Sequence, residues 1–258
     1  MLNQLFDLSG KTALVTGGSK GIGKATARGF AEAGADVAIC SRHEDELQAA
    51  AKQIGEGLDV RVEYKVCDMT DRDQCDALAS WAEATFGKVD ILFNNAGSNE
   101  PMNLVDQDQE SWDRIMELNL TSCMRLSKAL APGMVERKWG RIIFTSSIMG
   151  LQSFAGRGSY SATKTALLGL ARAYALELGK HGITVNCLAP GPVMTDLPMS
   201  ILSDEKKQEF SNRTAVKRWG QVEDMVGPML LLASEAGAFV TGTVLLADGG
   251  LYARTFND

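Results

Sequence analysis

The chain has 258 residues, 45% of them hydrophobic and 22% charged, which is enough for one large core or two small ones. A net charge of -6 and a pI near 5.1 argue against a nucleic-acid or anionic-membrane surface as partner. Two distant histidines and five scattered cysteines without a C-x-x-C argue against a His-based triad, a metal site or a disulfide framework. Reduced thiols in a cytoplasmic protein are expected instead. The opening MLNQLFDLSGK lacks a basic n-region, so no secretory signal is expected. No apolar stretch approaches the roughly 20 residues of a membrane span.

Short apolar runs then alternate with helical patterns. TALVTG at 12–17 reads as a strand, and GIGKATARGFAEAG at 21–34 as a helix with Gly34 at its C-cap. Next come DVAIC at 36–40, a charged helix from about residue 43, VRVEYKVCD at 60–68 and a helix around 71–86. VDILFNNAG at 89–97, a long helical region at about 109–137 and GRIIFTSS at 140–147 follow. A further helix at about 159–181 leads into ITVNCLAPG at 183–191, and TGTVLLADGG at 241–250 is the last apolar run. Seven β-branched runs alternating with helices, and no Pro/Gly/Ser-rich linker, predict β-α-β units, a parallel sheet and one domain over 1–258. The stretch 189–219, broken by Pro190, Gly191, Pro192 and Pro198, is expected to form a functional lid, helical and mobile over 197–213.

TGGSKGIGKAT at 16–26 admits two readings. Gly18, Gly23 and Lys24 approach a P-loop, but that motif needs a hydroxyl directly after its lysine to bind Mg²⁺, and Ala25 stands there. Thr26 comes one position late, rotated about 100° around the helix. The loop follows a strand and opens a helix, so free N–H groups and the positive end of the dipole face an anion. Gly17, Ser19, Lys20, Gly21, Ile22 and Gly23 are therefore read as a cradle for a dinucleotide pyrophosphate. Folds that prefer NAD usually place an acid at the end of the second strand to bond the ribose hydroxyls. Here the chain reads Cys40-Ser41-Arg42, and Lys20 supplies a second cation. A 2′-phosphate carries roughly -1.5 to -2 charges, so this composition predicts NADP(H) over NAD(H).

SYSATK places Tyr160 and Lys164 four apart, one turn from each other on one helix face. A free phenol titrates near about 10, too high for acid–base work at neutral pH, and a neighbouring ammonium favours the phenolate. Tyr160 can then give a proton to a carbonyl oxygen, or take one from an alcohol, while hydride passes to or from a nicotinamide. Ser147 ends RIIFTSS at the carboxyl edge of the sheet, where ligands of open α/β sheets bind, and its hydroxyl can bond the substrate oxygen. Asn119 in ELNLTS can hold a water for proton relay. NNAG at 94–97 offers small and amide residues suited to a cofactor ribose.

In order and spacing, TGGSKGIG, the CD at 67–68, NNAG, Asn119, Ser147, YSATK and PGPVMT resemble the short-chain dehydrogenase/reductase family over nearly the full length. The resemblance implies a Rossmann-type, doubly wound α/β fold with a seven-stranded parallel sheet flanked by helices, usually assembled as tetramers or dimers. It implies Tyr160 as acid/base, Lys164 as nicotinamide-ribose ligand, Ser147 as the group that orients the carbonyl, and Asn119 as support for the relay. Asp68, followed by Met69, would meet adenine, and Asn95, Ala96 and Gly97 the ribose. Pro190, Gly191, Val193 and Thr195 would close over the nicotinamide carboxamide. A homotetramer is expected on the same ground.

Two subfamilies compete for the substrate. LFDLSGK, MVERK at 134–138 and RTAVKRWG at 213–220 look like bacterial gluconate 5-dehydrogenases and related polyol reductases. SSIMG with YSATK looks equally like 3-oxoacyl-acyl-carrier-protein reductases, which dock an acidic carrier through two arginines. Lys138 and His181 stand at the matching positions; lysine lacks a bidentate fork and histidine is mostly neutral at pH 7, which weakens that reading. A small-ketone reductase of the plant tropane type also fits the CSR after strand two. A pocket is expected around Asn99, Met149, Phe154, Arg157 and Met194, where Arg157 either pairs with a substrate carboxylate or is simply a solvent-facing or interface arginine. A non-catalytic dinucleotide-binding regulator is the alternative class, opposed by the filled Asn119–Ser147–Tyr160–Lys164 set.

Overall fold

The apolar runs become strands because helices cover both of their faces. Ile91 and Phe93 of one strand enter one core and Leu92 the other, and Ile143 is divided from Ile142 and Phe144 in the same way. The computed structural model describes residues 2–195 and 203–253. Within them lie β1 (Thr12–Thr16), β2 (Asp36–Ser41), β3 (Val62–Val66), β4 (Ile91–Asn94), β5 (Gly140–Thr145), β6 (Ile183–Pro190) and β7 (Val244–Ala247). All pair in parallel, in the order β3-β2-β1-β4-β5-β6-β7. This is the predicted doubly wound, seven-stranded sheet.

Besides a single turn at Leu2–Leu5, the α-helices among the described residues are α1 (Gly21–Glu32), α2 (Glu44–Gly55), α3 (Arg72–Phe86), α4 (Gln109–Met116), α5 (Ser122–Arg137), α6 (Gly158–Leu178), α7 (Asp204–Arg213) and α8 (Val226–Ala233). Asp71 caps α3 by accepting from the N–H groups of Asp73 and Gln74, and Gly87 ends it in the left-handed conformation. α1 starts differently: no side chain caps it and no acid lies in its first turn. The strand order reverses between β1 and β4, so the loops leaving their carboxyl ends part and open a crevice.

Three local expectations change. The long helix at 109–137 is split by a π turn, Glu117–Thr121, in which the Ser122 N–H reaches back to the Glu117 carbonyl. β5 stops at Thr145, and Ser147 instead caps a 3₁₀ turn over Ile148–Gly150. Of the predicted lid, residues 196–202 lie outside the described residues, and much of the rest is α7.

All five cysteines, Cys40, Cys67, Cys75, Cys123 and Cys187, are free and buried. The sulfurs of Cys40 and Cys67 lie 3.9 and 3.7 Å from the Met69 thioether. Burial pushes the Cys123 thiol up to about 11 and Cys187 to about 12, while hydrogen bonding to Cys40 pushes Cys67 to about 12. Such thiols stay protonated near neutral pH and act as small apolar fillers. Among the described residues, no helix is long and apolar enough to cross a membrane.

Candidate active site

The crevice is built first by the glycine loop. Gly17 and Gly21 hold φ of 63° and 57°, and a Cβ on Gly23 would lie 2.2 Å from the Gly17 carbonyl, so a side chain there has no room. The uncapped N–H groups of α1 face this gap, which fits an anionic pyrophosphate. Ile22 packs against the core and offers the gap only its main chain. At the end of β2, Ser41 Oγ is buried without a partner, and Arg42 is exposed with no ion pair among the described residues. Both fit a 2′-phosphate. Lys20 is not free as expected, because its ammonium is 3.0 Å from a Glu46 carboxylate oxygen and Ser19 Oγ donates to the other at 3.2 Å.

The remaining cofactor candidates divide by where their side chains are spent. Asp68 Oδ1 accepts from the Thr70 N–H at 2.9 Å and from its hydroxyl at 2.8 Å, and Oδ2 accepts no hydrogen bond among the described residues. Met69 turns its thioether into the core, so only its main chain can reach a cofactor. Asn95 Nδ2 donates to the Thr16 carbonyl at 3.0 Å, and Thr16 Oγ1 accepts from the Asn95 and Ala96 N–H groups at 2.9 Å. Asn95 therefore stitches β4 to β1 rather than presenting its amide to a ribose. Across the gap, the Thr195 methyl is 3.3 Å from where a Gly21 Cβ would be, so the loop after β6 and the glycine loop flank one cleft. In that loop the Gly191 N–H bonds the Ala247 carbonyl beside Pro190, and Val193 is buried in the core.

The catalytic candidates converge at the other end of this cleft. Lys164 is only 3% exposed; its ammonium donates to the Thr145 carbonyl at 2.7 Å and lies 5.5 Å from the Tyr160 ring centroid. A Cβ on Gly97 would approach that ammonium to 3.4 Å, so the glycine keeps open the space in front of it. Ser147 Oγ accepts the Met149 N–H at 3.1 Å, which fixes the oxygen, and its O–H has no acceptor among the described residues.

Asn119 lies in the π turn. It is fully buried; its Oδ1 accepts the Ser98 N–H at 2.9 Å, and its Nδ2 donates to the Ser98 carbonyl at 2.9 Å and to Thr163 Oγ1 at 3.2 Å. Thr163 in turn donates to the Tyr160 carbonyl at 2.7 Å. These bonds occupy the side-chain amide and tie the NNAG loop to the Tyr160 helix. Thr163 and Ser98 carry no signal of this in sequence beyond their adjacency to Lys164 and Gly97.

The substrate candidates meet only in part. The Met102 N–H bonds the Gly156 carbonyl at 3.0 Å and Met102 bridges Arg157, drawing the 99–103 loop against the start of α6. Asn99 Oδ1 is buried there without a partner. Arg157 stacks its guanidinium 5.9 Å from the Phe154 ring and has no carboxylate partner among the described residues. Met149 is buried at the 3₁₀ turn, whereas Met194 is exposed on the far flank, its sulfur 3.2 Å from Gln221 Nε2. Among the described residues, no group of three or more His, Cys, Asp or Glu side chains is arranged to hold a metal ion.

Residues 11–206 match the sequence family described as short chain dehydrogenase. The chain belongs to the short-chain dehydrogenase family. This short-chain dehydrogenase is 37% identical over 249 residues to the gluconate 5-dehydrogenase of Gluconobacter oxydans, covering 96% of each chain. It is 36% identical over 250 residues to the 3-oxoacyl-acyl-carrier-protein reductase of Escherichia coli, covering 96% of this chain and 99% of that one. Among solved structures, a gluconate 5-dehydrogenase from Burkholderia cenocepacia in complex with NADP and tartrate matches with a TM-score of 0.92 at 33% identity, over 99% of this chain and 100% of that one.

Proposed function

We propose that this dehydrogenase interconverts a secondary alcohol and a ketone with NADP(H), acting on a small sugar acid or polyol. The observation that carries the reaction is the buried Lys164 ammonium fixed beside Tyr160, in a cleft whose other end is an uncapped helix N-terminus. NADP(H), when bound, supplies or accepts the hydride. Tyr160 donates its phenolic proton to the carbonyl oxygen in reduction and takes it back in oxidation. Ser147 donates to the same oxygen and polarises the carbonyl. Lys164, shielded from water, steadies the phenolate left when the proton moves. Arg42 and Ser41 support NADP(H), as does the NADP bound in the Burkholderia structure.

The substrate reading rests on Arg157, a cation at the start of the Tyr160 helix with no carboxylate partner among the described residues. Arg157→Ala is expected to raise KM for 5-keto-D-gluconate about 10-fold or more while kcat stays within about threefold, because a charge-assisted contact to a remote carboxylate is felt equally in the ground and transition states. Steady-state assays of the variant against a neutral ketone check this: an equal rise in both KM values contradicts carboxylate pairing. The acyl-thioester reading gains less support. Lys138 and His181 sit together just before β5 and β6, at the sheet edge opposite Ser147 and Tyr160 within one chain. The reading includes a single domain in a cytoplasmic homotetramer, with no nucleic-acid or membrane partner. Exposed Leu176 and Phe239, on segments packed together where Gly242 meets Ala175, support self-association.

A further inference from the structure

We propose that Glu46 is a specificity-determining residue: a resident counter-ion of the 2′-phosphate subsite that moderates the preference for NADP(H) over NAD(H). The inference rests on the dinucleotide reading above. Glu46 is the third residue of α2, and its two carboxylate oxygens are divided between Lys20 Nζ at 3.0 Å and Ser19 Oγ at 3.2 Å. The hydrogen bond from Lys20 holds the Glu46 carboxyl below the usual carboxylate range, so it is an anion at neutral pH. Its partners are two donors of the glycine loop on the side facing α2. Arg42 and the unpartnered Ser41 Oγ lie at the start of the connection from β2 to α2. Two donors of the glycine loop thus already hold a carboxylate, at the position from which Lys20 would meet a phosphate.

A phosphate reaching this position competes directly with that carboxylate. Both are anions seeking the same ammonium and hydroxyl, so binding the phosphate turns Glu46 away and leaves it as a like-charged neighbour. The Lys20–Glu46 pair is largely exposed, and parting it costs little by itself. What persists is the repulsion. A 2′-hydroxyl meets no such conflict, because it can donate to Glu46 while Lys20 stays paired. Glu46 therefore narrows the gap that Arg42 and Lys20 would otherwise open between the two cofactors.

The test is equilibrium binding, with no substrate present. The full chain and its Glu46→Gln, Glu46→Ala and Lys20→Ala variants are titrated with NADPH, NADH and adenosine 2′,5′-bisphosphate at fixed low salt, read by heat or by nicotinamide fluorescence. Both Glu46 variants are expected to bind NADPH and the bisphosphate about 3- to 10-fold more tightly, with NADH unchanged or weaker. NADPH binding that is unchanged or weaker in both Glu46 variants overturns the proposal, since Glu46 would then be holding Lys20 in place. A thermal melt that matches the parent's reports that the variants are folded. If the parent chain binds NADH as well as NADPH and Lys20→Ala alters neither, the phosphate subsite itself is misassigned and the proposal falls with it.

Discussion

Tyr160→Phe is expected to lower turnover about 1000-fold, within the 10² to 10⁴ range of a lost general acid–base group, while NADPH binding changes less than about twofold. The phenolic oxygen is the only atom removed. Tyr160 is held through its main chain, by the Thr163 hydroxyl on its carbonyl, so the ring stays where the helix puts it. Lys164 keeps its bond to the Thr145 carbonyl with or without the phenol, so its grip on the cleft is preserved. Ketone reduction followed through NADPH absorbance, beside a binding titration, reads both quantities. Loss of binding in step with turnover would mean that Tyr160 shapes the cofactor site instead of serving the proton.

Arg42→Asp is expected to lower the ratio of kcat/KM with NADPH to that with NADH about 100-fold, because a cation facing the 2′-phosphate becomes an anion beside it. Arg42 is exposed and holds no ion pair among the described residues, so its loss breaks no structural bond. The substituted acid stands at the end of β2, where it can also bond the ribose hydroxyls of NADH. Parallel kinetics with the two cofactors measure the ratio. A ratio that does not move removes Arg42 from the cofactor contact.

The features legible in sequence are those a single element carries alone. β-branched runs between helical patterns announced the inner strands β1, β4, β5 and β6 because burial on both faces leaves no alternation to misread, while the half-exposed β3 and β7 were read from their place in the alternation. Tyr160 and Lys164 were legible because one helix holds both, at a spacing that fixes their face. What escaped depends on elements far apart in the chain. The π turn at Glu117–Thr121 lies in a segment with ordinary helical propensity, and the Asn119 it carries is claimed by Ser98, 21 residues away. The Asn95 amide is drawn to Thr16 of β1, and Met69 into a sulfur-lined core, by packing that no local pattern announces. Glu46 reads as an ordinary acid in the first turn of a helix; only the approach of α2 to the glycine loop gives it Lys20 and Ser19. The substrate was least legible because its candidates sit on loops around the mouth of the cleft, where side chains are not dictated by packing.

The most direct measurement is NADPH oxidation by the purified chain with 5-keto-D-gluconate, a simple neutral ketone and a 3-oxoacyl thioester, with NADH as the control cofactor. Turnover is predicted to be highest with the keto-sugar acid and to drop about tenfold or more when NADH replaces NADPH. Turnover confined to the thioester would contradict the substrate reading, and no turnover of any carbonyl compound would contradict the reaction itself.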